Sequence, residues 1–283
     1  MSASKTIPAA KIPLIRIEPT TNRLALGLKE LWDYRELLYF LVWRDVKVRY
    51  KQTALGASWA IVQPLLTMVV FTLVFGHFAR MPSDGVPYPI FSFAGLIPWT
   101  YFAKSLNQSA LSVADNANLI TKVYFPRLLL PASATLSGLI DFGISFVFLL
   151  GMMVWYGMVP NWGLLALPFF VIMALVTALS VSLWLSVVNV RYRDVRQAIP
   201  FLIQIWLFAS PVAYPLSVVP EKWRLVYSLN PLTGVIEGFR WALLGNPMPD
   251  LVPIAICVAV IVALLFGGIV FFRRMEETFA DVV

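Results

Sequence analysis

Charge is scarce in this sequence. Only 13% of its 283 residues are charged, against roughly 25% in ordinary soluble domains, while 59% are hydrophobic. So little polar material cannot cover a water-facing surface, which excludes a soluble globule. Long-range disorder is excluded as well, because it needs low hydrophobicity and high charge. Cysteine is all but missing: Cys257 stands alone inside an apolar run, so neither an intrachain disulfide nor a thiolate metal cluster can form. His77 is the sole histidine. No Gly-x-x-x-x-Gly-Lys-[Ser/Thr] phosphate loop occurs, so the chain cannot bind and hydrolyse ATP by that route. His-Glu-x-x-His and Gly-x-Ser-x-Gly are also missing, and so is an obvious repeat of Gly/Pro-broken helices of the kind secondary transporters carry.

What is present is long stretches without charge. Lys51 and Arg80 enclose 28 residues free of Asp, Glu, Lys and Arg; Asp84 and Lys104 enclose 19, Arg196 and Glu221 24, and Asp250 and Arg273 22. Asp141 and Arg191 enclose 49, too many for one helix and interrupted at Tyr156-Gly157-Met158-Val159-Pro160-Asn161-Trp162-Gly163. A bilayer core of roughly 30 Å takes about 20 helical residues. The sequence therefore predicts an all-α membrane protein with six spans at about 57–78, 89–111, 129–155, 163–189, 197–217 and 251–272. Period-2 alternation is missing, which argues against a barrel. Lys and Arg number 17 on the side of the two termini and four on the other, which places both termini in the cytoplasm and accounts for the net charge of +7 without nucleic acid. Residues 1–29 read as a polar cytoplasmic tail rather than a signal peptide, and residues 30–283 as the membrane domain.

Three segments outside the spans have a pattern. Residues 30–51 form a helix too charged to cross a membrane, with Tyr39, Val42, Trp43, Val46 and Tyr50 on one arc and Arg44, Lys47 and Lys51 on another. That is an interfacial helix, either a plain anchor or a collar whose Arg44, Lys47, Arg49 and Lys51 receive an anionic lipid head. Residues 112–128 form a short connection with a helical start and a stop at Pro126. Residues 218–250 are too apolar for a solvated loop and too short and charged for two spans. Asn230-Pro231 divides them into two short helices bounded by Pro220 and Gly245, with Glu237 and Arg240 positioned to pair across one turn. This predicts a re-entrant helix pair, read as a gate or as a cap on the bundle.

Asp141 falls mid-span, where a carboxylate faces the protein interior or a water-filled path. Lys104 lies nearer the cytoplasmic end of its span and differs from Asp141 in depth by roughly 10 Å on a 1.5 Å rise. No direct pair is expected; protonation or hydroxyls such as Ser137 and Ser145 are left to hold Asp141. Phe71, Phe75 and Phe78 recur at i, i+4, i+7, as either a glycan-lining face or a packing surface. Most other aromatics sit at span boundaries, as an interfacial belt does.

Taken in order, these features resemble the type-2 ABC exporter permeases, and within them the polysaccharide-export group, nearest the O-antigen branch. The resemblance rests on Phe40-Leu-Val-Trp-Arg-Asp-Val-Lys-Val-Arg-Tyr-Lys51, Leu55-Gly-Ala-Ser-Trp-Ala-Ile-Val-Gln-Pro64, Phe93-Ala-Gly-Leu-Ile-Pro-Trp99, Asn118-Leu-Ile-Thr-Lys-Val-Tyr-Phe-Pro-Arg127, Asn189-Val-Arg-Tyr-Arg-Asp194, Ser228-Leu-Asn-Pro-Leu-Thr233 and Arg273-Arg-Met-Glu-Glu-Thr-Phe-Ala-Asp281. It implies a non-enzymatic permease of the bacterial inner membrane, without a cofactor of its own. The permease would work as a homodimer with two copies of a separate ATPase subunit that binds ATP and Mg. Its cargo would be a lipid-linked glycan.

By the same resemblance, a coupling helix within 113–127 would present Asn118, Lys122, Tyr124 and Arg127 to the ATPase. The hairpin 218–245, with Asn230, Pro231, Glu237 and Arg240, would close the outer end of a channel lined by spans one and five. Alternatives are a permease for a drug or small lipid, one for teichoic acid or capsule, a membrane enzyme built on Glu221, Glu237 and Asp250, and a passive channel.

Overall fold

The structure, a computed structural model, describes residues 32–51, 56–159, 162–192, 194–276 and 279. The tail read at 1–29 lies outside them. Every regular element among the described residues is helical, as a chain whose backbone must satisfy itself without water requires. Helix α1, Arg35–Tyr50, is followed by α2, Trp59–Phe71, which continues as a π-helical stretch over Thr72–Phe78. Then come α3, Tyr88–Asp115, the short α4, Ala117–Lys122, and α5, Leu129–Trp155. Helix α6, Leu167–Arg191, is entered through a 3₁₀ turn at Trp162–Ala166, and α7 covers Val195–Phe208. The chain closes with α8, Glu221–Tyr227, α9, Pro231–Leu244, and α10, Leu251–Glu276.

Four stretches are long and apolar enough to cross a membrane: Trp59–Phe78, Leu129–Trp155, Trp162–Arg191 and Leu251–Glu276. Two of the six predicted spans differ from these. Tyr88–Asp115 has the length but not the apolarity, for a reason visible in the packing: α3 is the hub, laid against α2, α5, α6, α7 and α9. Its serines face protein rather than lipid, with Ser92, Ser105, Ser109 and Ser112 all buried. Val195–Phe208 has the apolarity but only 14 residues, and stops well short of the predicted 217. Pro211 and Pro215 withhold backbone N–H donors from a continuing helix, and the carbonyls there are taken by a side chain from α9.

Small residues let the helices approach. A Cβ on Gly138 of α5 would lie 2.6 Å from Ser105 Oγ of α3, and one on Gly268 of α10 would lie 3.1 Å from the Ser180 carbonyl of α6. Beside that second contact, Trp184 Nε1 donates to the Leu264 carbonyl at 2.9 Å, tying α6 to α10. The main core fills the bundle around Phe91, Phe93, Phe102, Phe239 and Leu243. A second cluster, around Leu41, Ile120, Leu129 and Phe272, sits at the end that carries α1 and α4, here called the basic end.

Candidate functional site

Helix α1 packs on α5, and its inward face takes only part of the predicted arc, Val46 and Tyr50, together with Leu41 from outside it. Leu41 and Val46 are buried while Tyr39 and Trp43 stay exposed. The polar side chains explain the choice of face. Asp45 lies between the guanidinium of Arg44, at 2.8 Å, and the hydroxyl of Ser133 on α5, at 3.2 Å. One turn on, Arg49 reaches into the bundle. Its guanidinium donates to Ser137 Oγ at 3.0 Å and to Gln108 Oε1, and it lies 3.3 Å from Asp141 Oδ2. The Tyr50 hydroxyl donates to Asp141 Oδ1. Burial first, and then this bond to a carboxylate, push the Tyr50 phenol up to about 12, so it stays a proton donor throughout the physiological range. Asp141 is therefore not isolated, and the hydroxyl that holds it is that of Tyr50 rather than Ser137 or Ser145, which donate to the Ala134 and Ala60 carbonyls.

The structure also overturns the separation of Lys104 from Asp141, because Lys104 Nζ lies 3.7 Å from Asp141 Oδ2. Helix α3 runs on to Asp115, so Lys104 is 11 residues from its end and Asp141 is 12 from the start of α5. At 1.5 Å per residue the two sit at nearly the same depth, roughly 16 and 18 Å in. Of the four bases predicted to face one lipid head, Arg49 points inward and Arg44 is engaged with Asp45 and Asn116. Lys47 sits 5.5 Å over the Trp43 ring, and Lys51 is exposed. They do not form one cluster.

The basic end holds a second constellation. Asp115 and Asn116 form the break between α3 and α4. Asn116 Oδ1 accepts from Arg44 Nη1 of α1, Asn116 Nδ2 donates to the Ser112 carbonyl at 2.7 Å, and Asp115 pairs with Arg196 at the start of α7. Beyond α4, the backbone N–H of Arg127 donates to Glu276 Oε1 at 2.9 Å, and its guanidinium donates to the Glu276 carbonyl. Ile120 and Phe125 anchor the segment. Asn118, Lys122 and Tyr124 point outward, with Tyr124 75% exposed. Three of the four predicted coupling residues thus share an open surface, and the fourth, Arg127, is spent on the last helix.

At the opposite end, Glu221–Tyr227 and Pro231–Leu244 form the predicted hairpin. The Asn230 side chain caps α9 by accepting from the Leu232 N–H at 3.1 Å, and Gly245 ends that helix at a φ of 74°, a left-handed conformation that glycine adopts without strain. Asn230 does more than cap: it accepts from Trp206 Nε1 at 3.0 Å and donates to the Ala209 carbonyl and Ser210 Oγ. Arg240 is 0% exposed. It meets Glu237 at 3.0 Å, as its spacing predicts, and donates to the carbonyls of Pro211 and Val212, each at 2.7 Å. Its guanidinium carbon lies 3.7 Å from the centroid of Phe91. Composition gave no sign of those carbonyl partners, which belong to a stretch that reads as a helix.

Phe71, Phe75 and Phe78 do not share a face. Phe71 and Phe75 pack edge to face with centroids 5.3 Å apart, whereas Phe78 is 77% exposed. The π-helical stretch accounts for this, because its wider turn removes the i, i+4, i+7 alignment.

A sequence profile described as "ABC-2 type transporter" matches residues 36–244. The chain is 34% identical over 257 residues to the O-antigen export system permease protein RfbA of Myxococcus xanthus, covering 90% of this chain and 98% of that protein. It is 28% identical to the protein of the same name from Klebsiella pneumoniae, covering 88% and 95%. To the polysialic acid transport protein KpsM of Escherichia coli it is 25% identical, covering 83% and 91%.

Proposed function

This chain belongs to the ABC-2 type transporter family, and from that membership we propose that it is the membrane permease of an ATP-driven exporter of lipid-linked polysaccharide of the O-antigen type. The observation that carries this reading is likeness, over nearly its whole length, to permeases named for O-antigen export. A chain without a phosphate loop must take its energy from a partner, so an ATPase subunit, in two copies beside a permease homodimer, completes the machine. ATP and Mg belong to that subunit.

In this reading residues 30–283 form the membrane domain. Two helices join the four apolar stretches as spans of the bacterial inner membrane: α3, sheltered from lipid by its neighbours, and α7, lengthened by the irregular 209–218. Both termini lie in the cytoplasm, where Lys and Arg concentrate. The exposed Asn118, Lys122 and Tyr124 receive the ATPase. Movement of α4 then passes through Asp115 and Asn116 to α7 and α1, and through Arg127 to α10. The α8–α9 hairpin closes the outer end, with Asn230, Pro231, Glu237 and Arg240 fixing it to the end of α7. Lys47 and Lys51 are left to meet anionic lipid heads.

The test is reconstitution of the permease with a partner ATPase subunit, in vesicles loaded on one side with a lipid-linked glycan. ATP-dependent appearance of the glycan on the other side is expected, and none should occur with either subunit alone. Transport of drugs or simple lipids with no transport of glycan would sink the reading.

A further inference from the structure

Helix α1 is held to the bundle by polar side chains more than by apolar ones. Of its 16 residues only Leu41 and Val46 are buried, so little apolar surface opposes its departure. The rest of the hold is Arg44 on Asn116, Asp45 on Ser133, Arg49 on Ser137 and Gln108, and Arg49 with Tyr50 on Asp141. Released from α5, the side chains of α1 would regain water or lipid headgroups, and a hydrogen bond exchanged for one to water costs little. The cost falls on the other side. Asp141 is buried, and a carboxylate stripped of its partners inside a bundle is expensive.

Lys104 removes that cost. Its Nζ lies 3.7 Å from Asp141 Oδ2, the same oxygen that Arg49 meets at 3.3 Å, and it comes from α3, which stays with the bundle. Closing by about 1 Å brings it to the roughly 2.8 Å of a charge-assisted hydrogen bond, within the reach of a flexible four-carbon stem. The charges count the same way. With α1 docked, two cations face one carboxylate and the cluster carries one net positive charge. With α1 away, Lys104 and Asp141 form a neutral pair.

We propose that α1 docks reversibly on α5, and that Lys104 is a resident counter-ion that takes Asp141 over from Arg49 and Tyr50 when α1 lifts away. Asp141 is the shared anchor: it holds α1 while that helix is down and Lys104 while it is up. Departure of α1 uncovers the polar strip of Ser133, Ser137 and Gln108. The inference rests on charge geometry and goes beyond the exporter reading without depending on it.

Ser133 is fully buried against Asp45, so a thiol placed there reacts with a water-soluble maleimide while α1 is away, at a rate set by the lifted fraction. The full chain in lipid nanodiscs is labelled with Ser133→Cys on a Cys257→Ser background. Lys104→Gln should slow labelling about tenfold, the size of one charge-assisted contact, because it strands Asp141 whenever α1 leaves. Lys104→Arg keeps a cation on α3 and should stay within about threefold. Asp141→Asn removes the anchor and should speed labelling about tenfold or more. A thiol at Ser186, equally buried on α6, should label slowly throughout, which separates departure of α1 from loosening of the whole bundle. Faster labelling in Lys104→Gln would mean that Lys104 helps to hold α1 down, and would overturn the proposal. Equal rates in all variants, or a parallel rise at Ser186→Cys, would do the same. The two Lys104 variants decide the matter even where Asp141→Asn fails to fold. Labelling is read without ATP or glycan, so a chain that exports nothing leaves this test intact.

Discussion

Arg44 and Asn116, 72 positions apart in the chain, meet through a 3.0 Å hydrogen bond from guanidinium to carboxamide. It joins the helix that leads into the bundle to the break between α3 and α4. Because Asp115 beside it holds Arg196, two consecutive residues tie α4 to both α1 and α7. If α4 receives force from a motor, this is where it divides. Asn116→Ala should therefore cut ATP-driven export several-fold while leaving ATP hydrolysis by the complex largely intact. Arg44→Ala should do the same, and the double variant should be no worse than either. Export and hydrolysis measured side by side in vesicles check this; additive losses would show that the two residues act independently.

Arg240 should be the most costly residue of the hairpin to replace. Arg240→Ala strands the Glu237 carboxylate and two carbonyls in the interior, a loss of about 3–5 kcal/mol by the measure of broken buried ion pairs. Glu237→Gln keeps a hydrogen-bonding partner for the guanidinium and should cost less. Thermal unfolding in detergent ranks the two, and equal midpoints would contradict the assignment.

The hairpin also approaches α6 too closely for any added carbon. A Cβ on Gly238 would fall within the Phe170 ring, so Gly238→Ala should destabilise by about 1–3 kcal/mol, the usual range for overpacking. Phe170→Leu in the same chain should recover part of that. Gly143→Ala, on α5 where nothing lies within 4 Å of the new carbon, should be neutral or slightly stabilising, since alanine favours a helix by about 1 kcal/mol over glycine. Matched unfolding curves for the three variants decide it.

Alkaline pH offers a probe of the contact between α1 and α5. The folded chain keeps the Tyr50 proton up to about 12, above the ordinary 10.0, while the unfolded chain releases it near 10. Between those values the folded state holds more protons, so stability falls as pH rises, and below about pH 10 the contribution is fully present. Tyr50→Phe should flatten that part of the pH–stability curve without altering the curve near neutrality. An unchanged alkaline slope would show that the phenol is neither buried nor bonded at this contact.

Much of this was legible in the sequence because lipid and backbone chemistry leave few choices. The interruption at residues 156–163 marked the end of α5, the Asn-Pro step and Gly245 set the limits of α9, and Pro126 closed the segment after α4. Each of these is a local signal. Residue counting failed where it assumed that helices end with their apolar runs: α3 continues to Asp115 through serines and amides that packing shelters, and so Lys104 draws level with Asp141. It failed again at α7, because no local pattern reports that Arg240 will take the carbonyls of Pro211 and Val212.

The sequence by itself determined that this is a helical, membrane-type chain, since composition fixes which solvent the surface tolerates. It also determined where prolines and glycines interrupt the helices. Only the tertiary structure decided which charges meet. Arg49, Tyr50, Lys104 and Asp141 come from three helices, and ion pairing depends on the depth and rotation of each helix, which are set by packing against neighbours rather than by any run of residues along the chain.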